Sequence, residues 1–96
     1  MRLVVSDDAR TDLIETYQFG LERWGRAASG AYVGVIRTQM KSLARGETSG
    51  ATANDADLGL RRLVVRSHVI WFRVEGTDLR VIRVLHQSRD AGVELP

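Results

Sequence analysis

The amino-acid sequence predicts an α+β domain of order β-α-α-β-β-β, with a helical hairpin packed on one face of a mostly antiparallel sheet. Three observations carry that expectation. Apolar residues recur at helical spacing through residues 13–44, and strand-like runs take over after residue 59. Between the two lies a stretch almost without large apolar side chains. The chain has 96 residues, which suits one domain over 1–96 and leaves no room for a second core.

The elements follow in order. Leu3-Val4-Val5 is long enough for one strand. Ser6 reads as a helix N-cap, and the charges of Asp7 and Asp8 favour the positive end of a helix. Leu13, Tyr17, Leu21 and Trp24, with Ile14 alongside, form one helical stripe that ends at Gly25. Tyr32, Ile36, Met40 and Leu43 form a second, widened by Val33 and Ala44. Gly30 and Gly34 lie within that second helix, where each costs about 1 kcal/mol relative to alanine. Small residues four apart let a neighbouring helix come close, so they are expected to form the seam of the hairpin. Residues 46–59 read as a surface loop, and 60–66, 68–75 and 79–85 as strands.

The last hairpin has an expected register. A three-residue loop, Gly76-Thr77-Asp78, sets Phe72 opposite Ile82, Ile70 opposite Val84 and His68 opposite His86. Ile70, Phe72, Ile82 and Val84 then form the patch under the helices. On the opposite face Trp71 meets Arg83, within reach of a cation–π contact.

Composition narrows the function classes. There is no cysteine, which excludes a disulfide scaffold, a zinc–thiolate site and an iron–sulfur cluster. The N-terminus meets Asp7 and Asp8 soon after Leu3-Val4-Val5, unlike a signal peptide, and no run approaches the roughly 20 apolar residues of a membrane span. A cytoplasmic domain is the expectation. Residues 1–58 carry seven Lys/Arg against eight Asp/Glu, whereas 59–96 carry seven Arg against four acids. The C-terminal part is therefore the basic face, suited to a polyanion or an acidic protein surface.

Chemistry is sparse. His68 and His86 face each other in the expected register, with Arg62, Arg66, Arg83 and Arg89 around them. Such a set can serve as general base and acid while guanidiniums hold a phosphate. It equally describes two imidazoles at the edge of a core, bonded to backbone or carboxylate. No tyrosine or lysine joins the pair in sequence; Lys41, the only lysine, belongs to a helix. No phosphate-binding glycine loop, nucleophile signature or metal-ligand spacing is present, so neither a metal nor a cofactor is expected.

Four stretches nevertheless resemble one family. They are Asp12-Leu13-Ile14, Glu22-Arg23-Trp24-Gly25, Gly59-Leu60-Arg61-Arg62-Leu63, and Ser67-His68-Val69-Ile70-Trp71-Phe72-Arg73-Val74 with Val81-Ile82-Arg83-Val84-Leu85-His86. Together they look like a ParE-type toxin of the RelE/ParE superfamily of toxin–antitoxin modules. The resemblance implies the same β-α-α-β-β-β order and a ParD-like antitoxin with a ribbon-helix-helix DNA-binding part. It also implies a toxin that binds DNA gyrase and traps its cleavage complexes, without enzymatic activity, and meets DNA only through gyrase or the antitoxin. RelE-type relatives instead cut messenger RNA on the ribosome, and a third possibility is a toxin-like binding module without activity. The expected target-binding residues are Arg62, Arg66, Trp71, Arg83, His86 and Arg89. The expected antitoxin-binding residues are Leu13, Tyr17, Trp24, Tyr32 and Ile36. The tail departs from the family pattern: Ser88 and Arg89 stand where arginine and methionine are usual, and Phe72 where tyrosine is frequent.

Overall fold

The expected elements form in the expected order, and the computed structural model describes them over residues 1–52 and 59–89. Strand β1 (Arg2–Val5) leads through Ser6 into helix α1 (Asp7–Arg45). Then come β2 (Ala51–Thr52), β3 (Arg61–Val65), β4 (His68–Glu75), β5 (Asp78–His86) and a 3₁₀ turn, Gln87–Arg89. Ser6 is the N-cap: its Oγ accepts from the Ala9 N–H at 3.0 Å. The same hydroxyl donates to the Ile82 carbonyl at 2.7 Å, which ties the start of the helix to β5. At the far end Gly46 adopts φ 76, and its N–H returns to the Leu43 carbonyl.

Gly25 divides α1. At φ 87 and ψ 173 it leaves the helical region, so residues 7–24 and 26–45 are two arms of a hairpin. The arms touch where Gly20 meets Ser29: a Cβ on Gly20 would lie 2.5 Å from Ser29 Oγ. That hydroxyl donates back to the Tyr17 carbonyl at 2.6 Å. Gly30 and Gly34 do not form the seam. A Cβ at either would meet nothing within 4 Å. The reason is geometric: arms that fold back at Gly25 meet at positions about equally far from it, as Gly20 and Ser29 are.

The sheet order is β1-β5-β4-β3-β2, with β1 parallel to β5 and the other pairs antiparallel. The stretch expected to be plain loop contributes β2, whose Ala51 and Thr52 pair with Arg62 and Arg61. Gly50 allows this approach, since a Cβ there would lie 2.6 Å from the Phe72 ring.

Half of the expected hairpin register holds. His68 pairs with His86, Ile70 with Val84 and Trp71 with Arg83, but Phe72 then pairs with Val81 and Glu75 with Asp78. The turn is two residues, Gly76-Thr77, with Gly76 at φ 60. A two-residue turn leaves β5 one residue longer than its partner, and a bulge at Ile82 absorbs the surplus. Ile82 therefore moves to the outer face with Leu60, Val69, Trp71 and Leu85. Under the helices Leu79 and Val81 take its place beside Ile70, Phe72 and Val84. From above, the second arm supplies Val33, Ile36, Met40, Leu43 and Ala44, and the first arm Ala9 and Leu13.

Candidate functional site

The first arm and β5 meet at a buried carboxylate. In the first arm Ala9, Asp12 and Leu13 are buried and Thr16 half-buried, a helical stripe that sets one acid among apolar positions. Asp12 takes Arg83 in a two-pronged ion pair, Nε to Oδ2 at 2.8 Å and Nη2 to Oδ1 at 2.9 Å. Its Oδ2 also accepts the Val84 backbone N–H at 2.9 Å. The geometry explains why the acid is there. Strand β1 covers β5 only as far as Val81, so the exposed edge beyond needs an acceptor from elsewhere. Hydrogen bonds to Asp12 push the Arg83 pKa upward against the effect of burial, and the charges of Asp12, Asp8 and Glu15 add to it. Arg83 is thus a structural cation, held to the helix rather than stacked on Trp71.

Next to this pair lie the two histidines. Their rings are 5.3 Å apart and edge-on. Contrary to the sequence expectation, a tyrosine does join them: the Tyr32 hydroxyl lies 2.7 Å from His68 Nδ1. That hydroxyl also accepts the Ser67 N–H at 3.2 Å. The other ring nitrogen, Nε2, lies 3.4 Å from Thr16 Oγ1. Thr16 in turn donates to the Asp12 carbonyl at 2.7 Å. Burial lowers the His68 pKa first, and the neighbouring His86 lowers it further, while Asp12 opposes both. His86 Nδ1 accepts the Ser88 N–H at 3.1 Å. Rings run in contact from the hairpin tip to the end of the sheet: Trp24 to Tyr32 at 6.1 Å, then Tyr32 to His68 at 5.3 Å.

A cleft of about 390 Å³ opens beside this cluster. Glu15, Thr16 and Phe19 form its helical wall, and Val84, Leu85 and His86 its strand wall. A pocket of this size with a few converging polar groups and a shifted histidine is the ordinary form of a binding site. Among the described residues no group of three or more His, Cys, Asp or Glu could hold a metal ion.

The other expected residues fall into three places. Arg62 and Trp71 share the outer sheet face, with the guanidinium 5.3 Å from the indole centre. The indole N–H of buried Trp71 has no acceptor among the described residues. Arg66 is exposed in the turn between β3 and β4 at φ 55, a left-handed conformation that a side chain rarely adopts. The backbone of Arg89 belongs to the 3₁₀ turn, and its side chain lies outside the described residues. Of the residues expected to meet an antitoxin, Leu13 is 1% and Ile36 0% exposed. Both are core residues and closed to a partner. Tyr17 and Tyr32 are half-buried, and Trp24 is 55% exposed. Ile14 and Leu21, read from periodicity as part of the first helical stripe, stand exposed on the first arm, as does Phe19, which that stripe did not include. Asp12, Thr16 and Glu15 were also missed, although an acid on a buried helical stripe was a readable signal.

Comparison with known proteins agrees with this architecture. Residues 3–91 match the family model described as the ParE toxin of the type II toxin-antitoxin system parDE. A protein named Toxin ParE1 from Caulobacter vibrioides is 31% identical over 91 residues, 95% of this chain and 94% of that one. Toxin ParE1 from Mycobacterium tuberculosis is 31% identical over 90 residues, 93% of this chain and 92% of that one. Among solved structures, a chain of the chromosomal ParDE system from P. aeruginosa superposes with a TM-score of 0.79 at 23% identity. The alignment covers 90% of this chain and 95% of that one. With a matching family model over nearly its whole length, this chain belongs to the ParE toxins of the parDE type II toxin–antitoxin systems.

Proposed function

We propose that the chain acts in the cytoplasm by binding DNA gyrase and stalling it on cleaved DNA, without enzymatic turnover, and that a ParD-like antitoxin neutralises it in a hetero-oligomer. Family membership over residues 3–91 supports this reading above any single side chain. DNA is contacted through gyrase or the antitoxin. Arg62, Arg66 and Arg89 belong to the basic C-terminal part and are its candidates for the target. Arg83, engaged with Asp12, contributes by holding β5 in place. The antitoxin seat is the face of the first arm carrying Ile14, Leu21 and Trp24, whose exposed apolar surface suits a partner helix.

The test is a supercoiling assay with purified gyrase, relaxed plasmid and ATP. Loss of supercoiling with accumulation of linear DNA is expected; full supercoiling without cleavage would sink the gyrase reading. Arg66→Gly sharpens it, because glycine suits φ 55 and the fold is retained. Toxicity in growing cells should fall with that change.

A second reading, RNA cleavage of the RelE type, draws on the Tyr32–His68–His86 cluster in the cleft. His86→Ala distinguishes them: unchanged toxicity in a folded variant excludes catalysis by that imidazole.

A further inference from the structure

The two arms of the hairpin carry opposite charge. Residues 7–24 hold five acids and two arginines, whereas residues 26–45 hold Arg26, Arg37, Lys41 and Arg45 and no acid at all. Acids of the first arm have a task within the fold, since Asp8, Asp12 and Glu15 act on Arg83 of β5. The four cations of the second arm are all exposed. Arg37, Lys41 and Arg45 follow at four-residue spacing, and Arg26 lies about three turns before Arg37. All four therefore share one side of the arm over about 28 Å, where like charges four apart repel one another. Glu47, just beyond the arm, meets Arg45 at 3.6 Å; Arg37 and Lys41 have no ion-pair partner among the described residues.

What surrounds these cations identifies the partner. Ala27, Gly30, Ala31 and Thr38 are the exposed residues beside them, and a Cβ on Gly30 or Gly34 would meet nothing within 4 Å. The large apolar side chains exposed on the hairpin, Ile14, Phe19, Leu21 and Trp24, all belong to the first arm. A protein interface draws its energy from anchors of that kind, and a helix lying on a membrane needs an apolar face to insert. The outside of the second arm offers neither. A flat, cationic surface without anchors suits the phosphates of a nucleic acid, whose interfaces are polar and strongly positive. β3 extends the charge: Arg61 is exposed and by alternation shares the helix side of the sheet with Leu63 and Val65.

We propose that the outer side of the second arm, through Arg26, Arg37, Lys41 and Arg45, binds the phosphate backbone of duplex DNA directly and without regard to sequence. The choice of DNA over RNA rests on the gyrase reading given above, and this contact adds to the one that DNA makes through gyrase.

The experiment follows the fluorescence anisotropy of a labelled random-sequence DNA duplex, and of an RNA duplex of the same sequence, over a series of salt concentrations. It compares the wild-type chain with the double variant Arg37→Gln/Lys41→Gln. Both positions are exposed, so the variant keeps the wild-type thermal midpoint. For the wild type the logarithm of DNA affinity should fall against the logarithm of salt with a slope of about −3 to −4, as four phosphate contacts require. The variant should bind about ten-fold more weakly at low salt, with a slope shallower by about 2. Wild-type affinity and slope in the variant overturn the proposal, and so does tighter binding to the RNA duplex. The supercoiling assay separates it from the gyrase reading. Absence of DNA binding while supercoiling is still lost overturns this proposal alone. DNA binding that the variant loses, beside untouched supercoiling, upholds it and overturns the gyrase reading alone.

Discussion

The two arms of the helical hairpin have similar lengths and similar apolar content, yet they use it in opposite ways. The second arm turns Val33, Ile36, Met40, Leu43 and Ala44 onto the sheet and leaves small and basic residues outside. The first arm buries only Ala9 and Leu13 deeply and leaves Ile14, Phe19, Leu21 and Trp24 exposed. It is fastened instead by polar groups: the Ser6 cap on Ile82, Asp12 on Arg83 and Val84, and Ser29 on the Tyr17 carbonyl. An arm held by a few hydrogen bonds can keep its apolar face for a partner. One held by burial cannot. The second arm therefore builds the domain, and the first carries the exposed apolar side chains.

Removing the polar fastening should have the largest effect. Asp12→Ala leaves the Arg83 guanidinium and the Val84 N–H without their acceptor, which should cost about 3–5 kcal/mol in chemical denaturation. Arg83→Glu should be comparably damaging, since it sets a carboxylate against Asp12. Wild-type stability of either Asp12→Ala or Arg83→Glu would break the contrast between the arms.

Truncation of apolar side chains sharpens it next. Ile36→Ala should cost about 2–5 kcal/mol, because the site is sealed and cannot collapse fully. Ile14→Ala, one arm away and exposed, should stay within about 0.5 kcal/mol of wild type while weakening the antitoxin complex. Glycines give a finer probe. Gly34→Ala enters open space in the second arm and should raise stability by about 1 kcal/mol. Gly20→Ala should lower it, since its Cβ would strike Ser29.

The smallest expected effect is a pH dependence. Burial lowers the folded-state pKa of His68, so the unfolded chain takes up this proton first as pH falls. The stability tied to His68 is therefore fully present above about pH 6.5 and declines below it, down to the folded-state pKa. Thermal midpoints at pH 7.5 and 5.5 should differ less in His68→Gln than in the wild type. Equal differences would remove His68 from the account.

Much of the fold was legible because it depends on neighbours in sequence. Ser6 and Gly25 stand where a cap and a break are required, and the apolar spacing of 32–44 marks a helix that does bury that face. The pairing of His68 with His86 was expected from a three-residue turn; the turn has two residues, and the pairing holds because the bulge at Ile82 restores the offset. Other features were hidden. Ile82 is apolar and suits either face, so only the two-residue turn and its bulge decided which side it takes. Leu13 and Trp24 sit on one helical stripe, yet they are 1% and 55% exposed, because exposure depends on where the sheet ends beneath the arm.

The sequence by itself determined the hairpin break, the order of the elements it named, the apolar face of the second arm and the family, each of which is written in local spacing and residue type. Only the tertiary structure decided which carboxylate closes the edge of β5, that Tyr32 serves His68 across the molecule, and which arm keeps its apolar face outside. Those outcomes depend on the distance between residues far apart in the chain, such as 2.8 Å from Arg83 to Asp12 and 2.7 Å from Tyr32 to His68. A one-residue bulge or a shorter turn moves such distances without changing any local propensity.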